Sequence, residues 1–490
     1  MRRTHALAAV LLAVGALVPA TPASAAPASI TWHGCATGPD DRLGQDLDAA
    51  GAQCGDLAVP VDYRRPRGRT ITLALSRIKA SDPARRRGVL MINPGGPGGS
   101  AIRQVLLAGH LPDVAARYDL VGMDPRFTGR SSPLRCDWKT DTFIRSAGPD
   151  RRSFDESTAF AHDLARGCAG LDHELLRAAS TRNTARDMDA VRAALGEPKV
   201  SYYGVSYGTY LGSVYLQMFA SRADRFVLDS SVDPDRFGPG LLRAVAPAVA
   251  DALRDWATTA TGQGLGATAA EVLSTVDGVA KAAERRPLKV GGYAVDGHLL
   301  PFLLFAGVYQ DDAESRAGLT DVVRTLRDAA LGKPVTPSPA LDELLHGLTT
   351  GEGPATDRSG TPIVCGDRAA WRDPDAYYRD IRANRAAEPL FGPLARNVNP
   401  CAFWPVSPAE PATAIGNATP VLMLGATGDP ATPYPGQLAL HRALTGSRLV
   451  TVPDRFRHGV FLVAGNACAD AATKDYLLGG ALPAADRTCR

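Results

Sequence analysis

A serine set between glycines, Gly204-Val205-Ser206-Tyr207-Gly208, ends one apolar run and opens the helical run Thr209 to Phe219. Where a strand turns sharply into a helix, small residues on either side let the backbone crowd, and the serine hydroxyl is lifted off the sheet as a nucleophile. Amides at the helix N-terminus then face the negative charge that develops on an attacked carbonyl. A second cluster, Asn93-Pro94-Gly95-Gly96-Pro97-Gly98-Gly99-Ser100, follows another apolar run. Acyl transfer needs backbone N–H donors aimed at an oxyanion, and glycine lets the backbone approach substrate. Pro97 has no N–H, so Gly96 is the first expected donor and Tyr207, the residue after the serine, the second. A phosphate cradle is disfavoured because the Gly-Lys-Ser/Thr ending is missing.

A serine nucleophile needs a base, and the base needs an acid that fixes its tautomer. In α/β-hydrolases, whose nucleophile turn this segment resembles, both follow the serine along the chain, acid first. Of nine histidines, His298, His346, His441 and His458 follow Ser206. The first two fall in a helical stretch and His441 sits inside the helical run Gly436 to Leu444. His458, in Arg457-His458-Gly459, follows the last strand-like run and is the expected base. Asp429, in Gly428-Asp429-Pro430-Ala431-Thr432-Pro433, follows the run Val421 to Leu424 and is the expected acid, with Asp229 at the end of an earlier run as its competitor. Metal chemistry has little support: His173-Glu174-Leu175-Leu176-Arg177 begins like a zinc-binding helix but ends in arginine. No dinucleotide fingerprint is present, so neither metal nor cofactor is expected.

Such residues need a sheet to position them. Thr70 to Lys79 alternates as an antiparallel strand does, whereas Val89 to Ile92, Tyr118 to Met123, Val200 to Val205 and Phe226 to Leu228 are continuous apolar runs suited to buried parallel strands. Helical patterns separate them, notably Asn183 to Leu195, closed by Gly196. This order predicts an α/β fold with a mostly parallel, doubly wound sheet. Ala-, Arg- and Leu-rich stretches from 234 to 399, broken by Gly351–Pro354 and Ser359–Pro362, predict a mainly helical cap inserted between core segments 26–233 and 400–490.

Export is expected. Arg2 and Arg3, the apolar run Ala6 to Val18 and Ala23-Ser24-Ala25 form a signal peptide over residues 1–25, too short to span a bilayer. The eight cysteines all follow it and include no C-x-x-C pair, which suits disulfides in an oxidising compartment. Pairing by proximity gives Cys35–Cys54, Cys136–Cys168, Cys365–Cys401 and Cys468–Cys489. With 45% hydrophobic and 21% charged residues the 490-residue chain buries a sizeable core, and a net charge of +3 disfavours nucleic-acid binding.

On these residues the chain resembles the secreted bacterial tripeptidyl aminopeptidases, α/β-hydrolase serine peptidases whose wider family includes proline iminopeptidases. The likeness runs through Asn93 to Ser100, Asp124-Pro125-Arg126-Phe127-Thr128-Gly129-Arg130-Ser131, the helix before the elbow, the elbow itself, Asp429 to Tyr434 and His458-Gly459. It implies Ser206, Asp429 and His458 as the triad and peptide substrates, while the absence of any later apolar segment of spanning length predicts no membrane span in the mature chain. Phe127 and Arg457 stand where that family usually or often has glycine, and Pro94 where proline iminopeptidases carry histidine. The expected function is a secreted exopeptidase releasing tripeptides or short peptides. A carboxylesterase or lipase using the same triad is the alternative, and a silent binding protein is disfavoured by the complete triad. Recognition of a substrate α-ammonium needs a carboxylate in the cap, for which Asp367 and then Glu352 are candidates.

Overall fold

A computed structural model describes residues 29–138, 140, 144–351 and 360–490. The expected leader and Glu352 lie outside the described residues. The strands are β1 (Thr31–His33), β2 (Gln53–Pro60), β3 (Thr70–Ile78), β4 (Gly88–Asn93), β5 (Tyr118–Met123), β6 (Val200–Val205), β7 (Ala223–Asp229), β8 (Leu288–Val290), β9 (Tyr293–Val295), β10 (Val421–Ala426), β11 (Ser447–Val452) and β12 (Arg487–Thr488). β8 and β9 pair as a separate hairpin, and the other strands form one sheet in the order β1-β2-β3-β5-β4-β6-β7-β10-β11-β12. Pairings from β1 to β5 are antiparallel. From β5 to β12 they are parallel. The chain steps from β4 to β5 on one side and later to β6 on the other, and the crevice outside the strand ends at such a reversal is where open α/β sheets bind ligands.

Apolar runs become central strands because both faces of the sheet are covered. β4, β5 and β10 are buried along their whole length. Side chains alternate between two cores: Val89 and Met91 pack on one face, Leu90 and Ile92 on the other. On the first face lies the helix Thr181–Ala194, which starts two residues before the sequence pattern does because Ser180 caps it, its hydroxyl accepting from the Asn183 amide. Ala185, Met188 and Val191 point from this helix into the core.

Between β7 and β10 the chain forms helices that include Val245–Thr259, Ala269–Arg285, Leu300–Gly307, Ala313–Ala330, Pro339–Thr350, Gly360–Asp367 and Pro374–Asn384. They enclose a core of their own around Val249, Trp256, Val276, Leu303, Val323 and Leu345. A helix from the excursion between β5 and β6, Arg151–Ala169, joins them by packing Phe154 and Ala161 against Tyr377 and Ile381. Of the Ser359–Pro362 cluster, expected to break a helix, the described residues Gly360–Pro362 instead open the helix Gly360–Asp367, with Pro362 in the first turn, where its missing N–H has no intrahelical partner to lose. Disulfides join Cys35 to Cys54, Cys136 to Cys168, Cys365 to Cys401 and Cys468 to Cys489. No helix among the described residues is long and apolar enough to cross a membrane.

Candidate active site

Ser206 follows β6 and caps the helix Tyr207–Phe219 with φ 59° and ψ −126°, a backbone region that non-glycine residues occupy only when their surroundings hold them there. The hold is visible. The Ser206 amide donates to the Asp229 carbonyl at 3.0 Å, and the Ser206 carbonyl accepts from the Thr209 amide at 2.9 Å and its hydroxyl at 2.6 Å. A Cβ on Gly95 would lie 2.6 Å from the Val205 carbonyl and 2.8 Å from Ser206 Cβ, so the glycine loop rests directly on the elbow and only glycine fits there. That contact brings Gly96, Ser206 and Tyr207 to one cavity wall. Asp124, at the end of β5, pins the far end of the loop by accepting from Ser100 Oγ, Ala101 N and Ile102 N, while its other oxygen accepts from Arg130 N.

The expected base and acid meet beyond the ends of β10 and β11. His458 Nδ1 lies 3.0 and 3.1 Å from the two Asp429 oxygens. Asp429 also accepts from Ala431 N, Thr432 N and Thr432 Oγ1, each at 2.9 Å, so its carboxylate is fixed before it meets the imidazole. Burial pulls the imidazole down, but the charge and hydrogen bond of Asp429 outweigh it and hold His458 above its ordinary value. His458 Nε2 is buried and has no hydrogen-bond partner among the described residues, Ser206 Oγ included. Thr432 Oγ1 stands 3.4 Å from His458 Nδ1, and Thr432 lines the same cavity as Ser206.

Asp229, the competing acid, does different work. Its carboxylate accepts from Val460 N, Phe461 N and Tyr203 Oη, and makes no hydrogen bond to the imidazole. Its backbone carbonyl holds Ser206 while its side chain holds the residues just beyond His458. One residue thereby ties the serine's turn to the histidine's loop.

The cavity over Ser206 has mostly apolar walls, among them Leu241, Leu242, Phe305, Val364, Leu394 and Val398, and the helical segment supplies these. Arg145 is the only charged residue among the described residues lining it. Asp367 is a correction to the sequence reading: it is not among the lining residues, and its oxygens accept from Thr181 N at 2.7 Å and from Thr181 Oγ1. Thr181 Oγ1 is also 2.9 Å from Tyr207 Oη, so Asp367 buttresses the elbow from behind. Burial pushes its carboxyl up to about 7 against the hydrogen bonds of Thr181. The sequence pattern places this residue near a disulfide but carries no sign that its helix is buried against a residue 186 positions earlier.

Other contributors have no signal of their own. Tyr309 sets the edge of its ring on the His458 imidazole, with centroids 5.1 Å apart, and nothing in its sequence neighbourhood singles it out. Thr432 stands inside the Asp429 segment, three residues on, the spacing at which a hydroxyl and an amide return to a turn aspartate. The two departures from the family pattern also find places. Phe127 has φ 67°, where glycine is unstrained, yet its ring is buried. Arg457 is buried too, its guanidinium held by Asp311, Gln310 and the Gly459 carbonyl.

Comparison with known proteins gives the geometry its context. Residues 88–307 match the alpha/beta hydrolase fold family and residues 388–489 the TAP-like protein family, the latter containing Asp429 and His458. A tripeptidyl aminopeptidase of Streptomyces coelicolor is 35% identical over 497 aligned positions, covering 95% of this chain and 87% of that protein. The serine protease Hip1 of Mycobacterium tuberculosis is 32% identical over 90% of this chain and 87% of its own length. A carboxylesterase B of the same species is 30% identical over 94% of this chain and 89% of its length.

Proposed function

The chain belongs to the tripeptidyl aminopeptidase family of α/β-hydrolases, and from that premise we propose that it is a secreted serine exopeptidase that releases tripeptides or other short peptides from free N-termini. Ser206 Oγ attacks the scissile carbonyl as His458 Nε2 takes its proton. Asp429, on Nδ1, keeps the imidazole in the tautomer that leaves Nε2 free to accept and stabilises the imidazolium that forms. The Gly96 and Tyr207 amides stabilise the oxyanion, and His458 then returns the proton to the departing amine. Water, activated by the same imidazole, releases the acyl group from Ser206.

The observation that carries this chemistry is the His458–Asp429 pair, whose neighbours Thr432 and Tyr309 line the cavity that Ser206 also lines. The relatives support the peptidase reading. Residues 234–399 act as a cap that walls the cavity and limits the reach of substrate beyond the scissile bond, and the four disulfides suit export. The carboxylesterase reading keeps one observation of its own, the mostly apolar cavity wall. Turnover of tripeptidyl amides with free N-termini against simple acyl esters separates the two. The proposal expects the peptide amides to be the better substrates by kcat/KM and Ser206→Ala to lose both turnover and fluorophosphonate labelling. A strong preference for esters rejects the peptidase reading, and labelling of Ser206→Ala at the unaltered rate rejects the nucleophile.

A further inference from the structure

The histidine loop is held from two directions, and only one of them is the sheet. On the core side, Gly459 N donates to Ser230 Oγ at 2.8 Å and Val460 N and Phe461 N donate to Asp229. On the other side stands Tyr309-Gln310-Asp311, a short link between the helices Leu300–Gly307 and Ala313–Ala330 of the helical segment. Both backbone groups of His458 are taken up there: its amide donates to the Tyr309 carbonyl at 2.9 Å, and its carbonyl accepts from Gln310 Nε2 at 2.8 Å. Asp311 anchors the link. Its carboxylate accepts from Arg455 Nε at 2.6 Å and Nη2 at 2.7 Å, from Phe456 N at 3.2 Å and from Arg457 Nη1 at 3.0 Å. The Asp311 side chain is 4% exposed and that of Arg457 3%, and Arg457 also donates to Gln310 Oε1.

We infer that Asp311 is a positioning residue for the catalytic base: through Arg455, Arg457 and Gln310 it locks the helical segment onto the loop that carries His458, so that the cap helps aim the imidazole as well as walling the cavity. This rests on His458 being the base. The physical reason is that an ion pair buried this deeply holds its partners in one arrangement, and removing one charge leaves the other desolvated and forces the local structure to move. The residues that must move are the three immediately before His458. The charged groups facing Asp311 are Arg455 and Arg457, with Asp312 beside it in the chain, and those facing the imidazole are Asp429 and Asp229.

Asp311→Asn tests this, with His458→Ala measured in parallel. The expected result is a fall in kcat of about tenfold or more with KM changed by less than about threefold, because substrate contacts are left in place while proton transfer is misaligned. Fluorophosphonate labelling should slow in proportion. The acid limb of the kcat/KM profile should move to lower pH, since an imidazole that drifts from Asp429 loses the anion that raises it, a shift that general loosening of a distant structure does not produce. If Asp311→Asn does not fold, Gln310→Ala removes the bond to the His458 carbonyl and the one from Arg457 while leaving both charges of the Asp311–Arg457 pair in place, and a several-fold loss of kcat at constant KM is expected. Unaltered kcat, labelling and acid limb in the folded variants would overturn the inference, as would an effect confined to KM. Full activity of His458→Ala would instead overturn the base assignment itself.

Discussion

At Asp429 one carboxylate both closes a turn and orients a base. The amides of Ala431 and Thr432 fix it, and the remaining lone pairs meet His458 Nδ1. Asparagine at this position can keep the turn but presents an amide that favours the wrong imidazole tautomer, so Asp429→Asn should lower kcat by about 10³- to 10⁴-fold. The base works only when neutral, so activity rises as pH climbs through the His458 value, which the Asp429 charge holds up. Removing that charge should carry the acid limb of kcat/KM to lower pH, and an unmoved limb would count against the pairing. Phe127 offers a test of stability at the same scale. Its left-handed backbone costs about 1–2 kcal/mol in a non-glycine residue, whereas its buried ring is worth about 3–5 kcal/mol, so Phe127→Gly should lower unfolding free energy by roughly 2 kcal/mol in urea titration despite relieving strain. A gain in stability would show that strain dominates. The proposed serine, acid and base each follow an apolar run of strand length, which is what lets the sequence single them out. Asp367 is not legible as a buttress, since whether an acid faces a cavity or a neighbouring helix depends on partners far along the chain.

Among the elements, the helix Gly360–Asp367 joins three things the active site needs. It contributes Val364 to the cavity wall, Cys365 to a disulfide with Cys401, and Asp367 to the network behind Tyr207. Burial lifts the Asp367 carboxyl to about 7 from an ordinary 3.8, so across that window the folded protein binds a proton that the unfolded chain has released. The sign follows directly: this group's contribution makes stability fall as pH rises from about 4 to about 7. The Asp367→Asn variant carries a neutral amide that imitates the protonated acid, so its Tm should gain on that of the unmodified protein over this range. Parallel melting curves at every pH would contradict the assignment. Tyr118–Met123 and Val200–Val205 are legible at their observed bounds and the run Thr70 to Lys79 to within a residue, because long apolar or alternating runs fit little else. The run Phe226 to Leu228 is only part of Ala223–Asp229, and β1, β2 and β12, short or mixed in polarity, carry no run that sets them apart. The helical segment is legible only as helical. Its packing partner Arg151–Ala169 comes from before the elbow, and Phe154 meets Tyr377 and Ile381 across a separation that periodicity does not encode.

In the molecule as a whole, parallel strands deliver Ser206, Asp429 and His458 to one edge, and the helical segment covers that edge with an apolar wall. In the proposed function the sheet organises acyl transfer, and the helical cover favours chain ends by limiting the reach of substrate beyond the scissile bond. An α-ammonium that enters such a cavity must be matched by polar groups, which among the described lining residues are uncharged side chains such as Asn397 and Asn399, so blocking it with an acetyl group should lower kcat/KM. The most direct measurement is mass spectrometry of the products from one peptide of about ten residues, supplied with its N-terminus free or acetylated. The account predicts an N-terminal tripeptide or similarly short fragment as the first product from the free peptide, and slower cleavage of the acetylated one. Equal cleavage of both, or first cuts scattered through the interior, would contradict it.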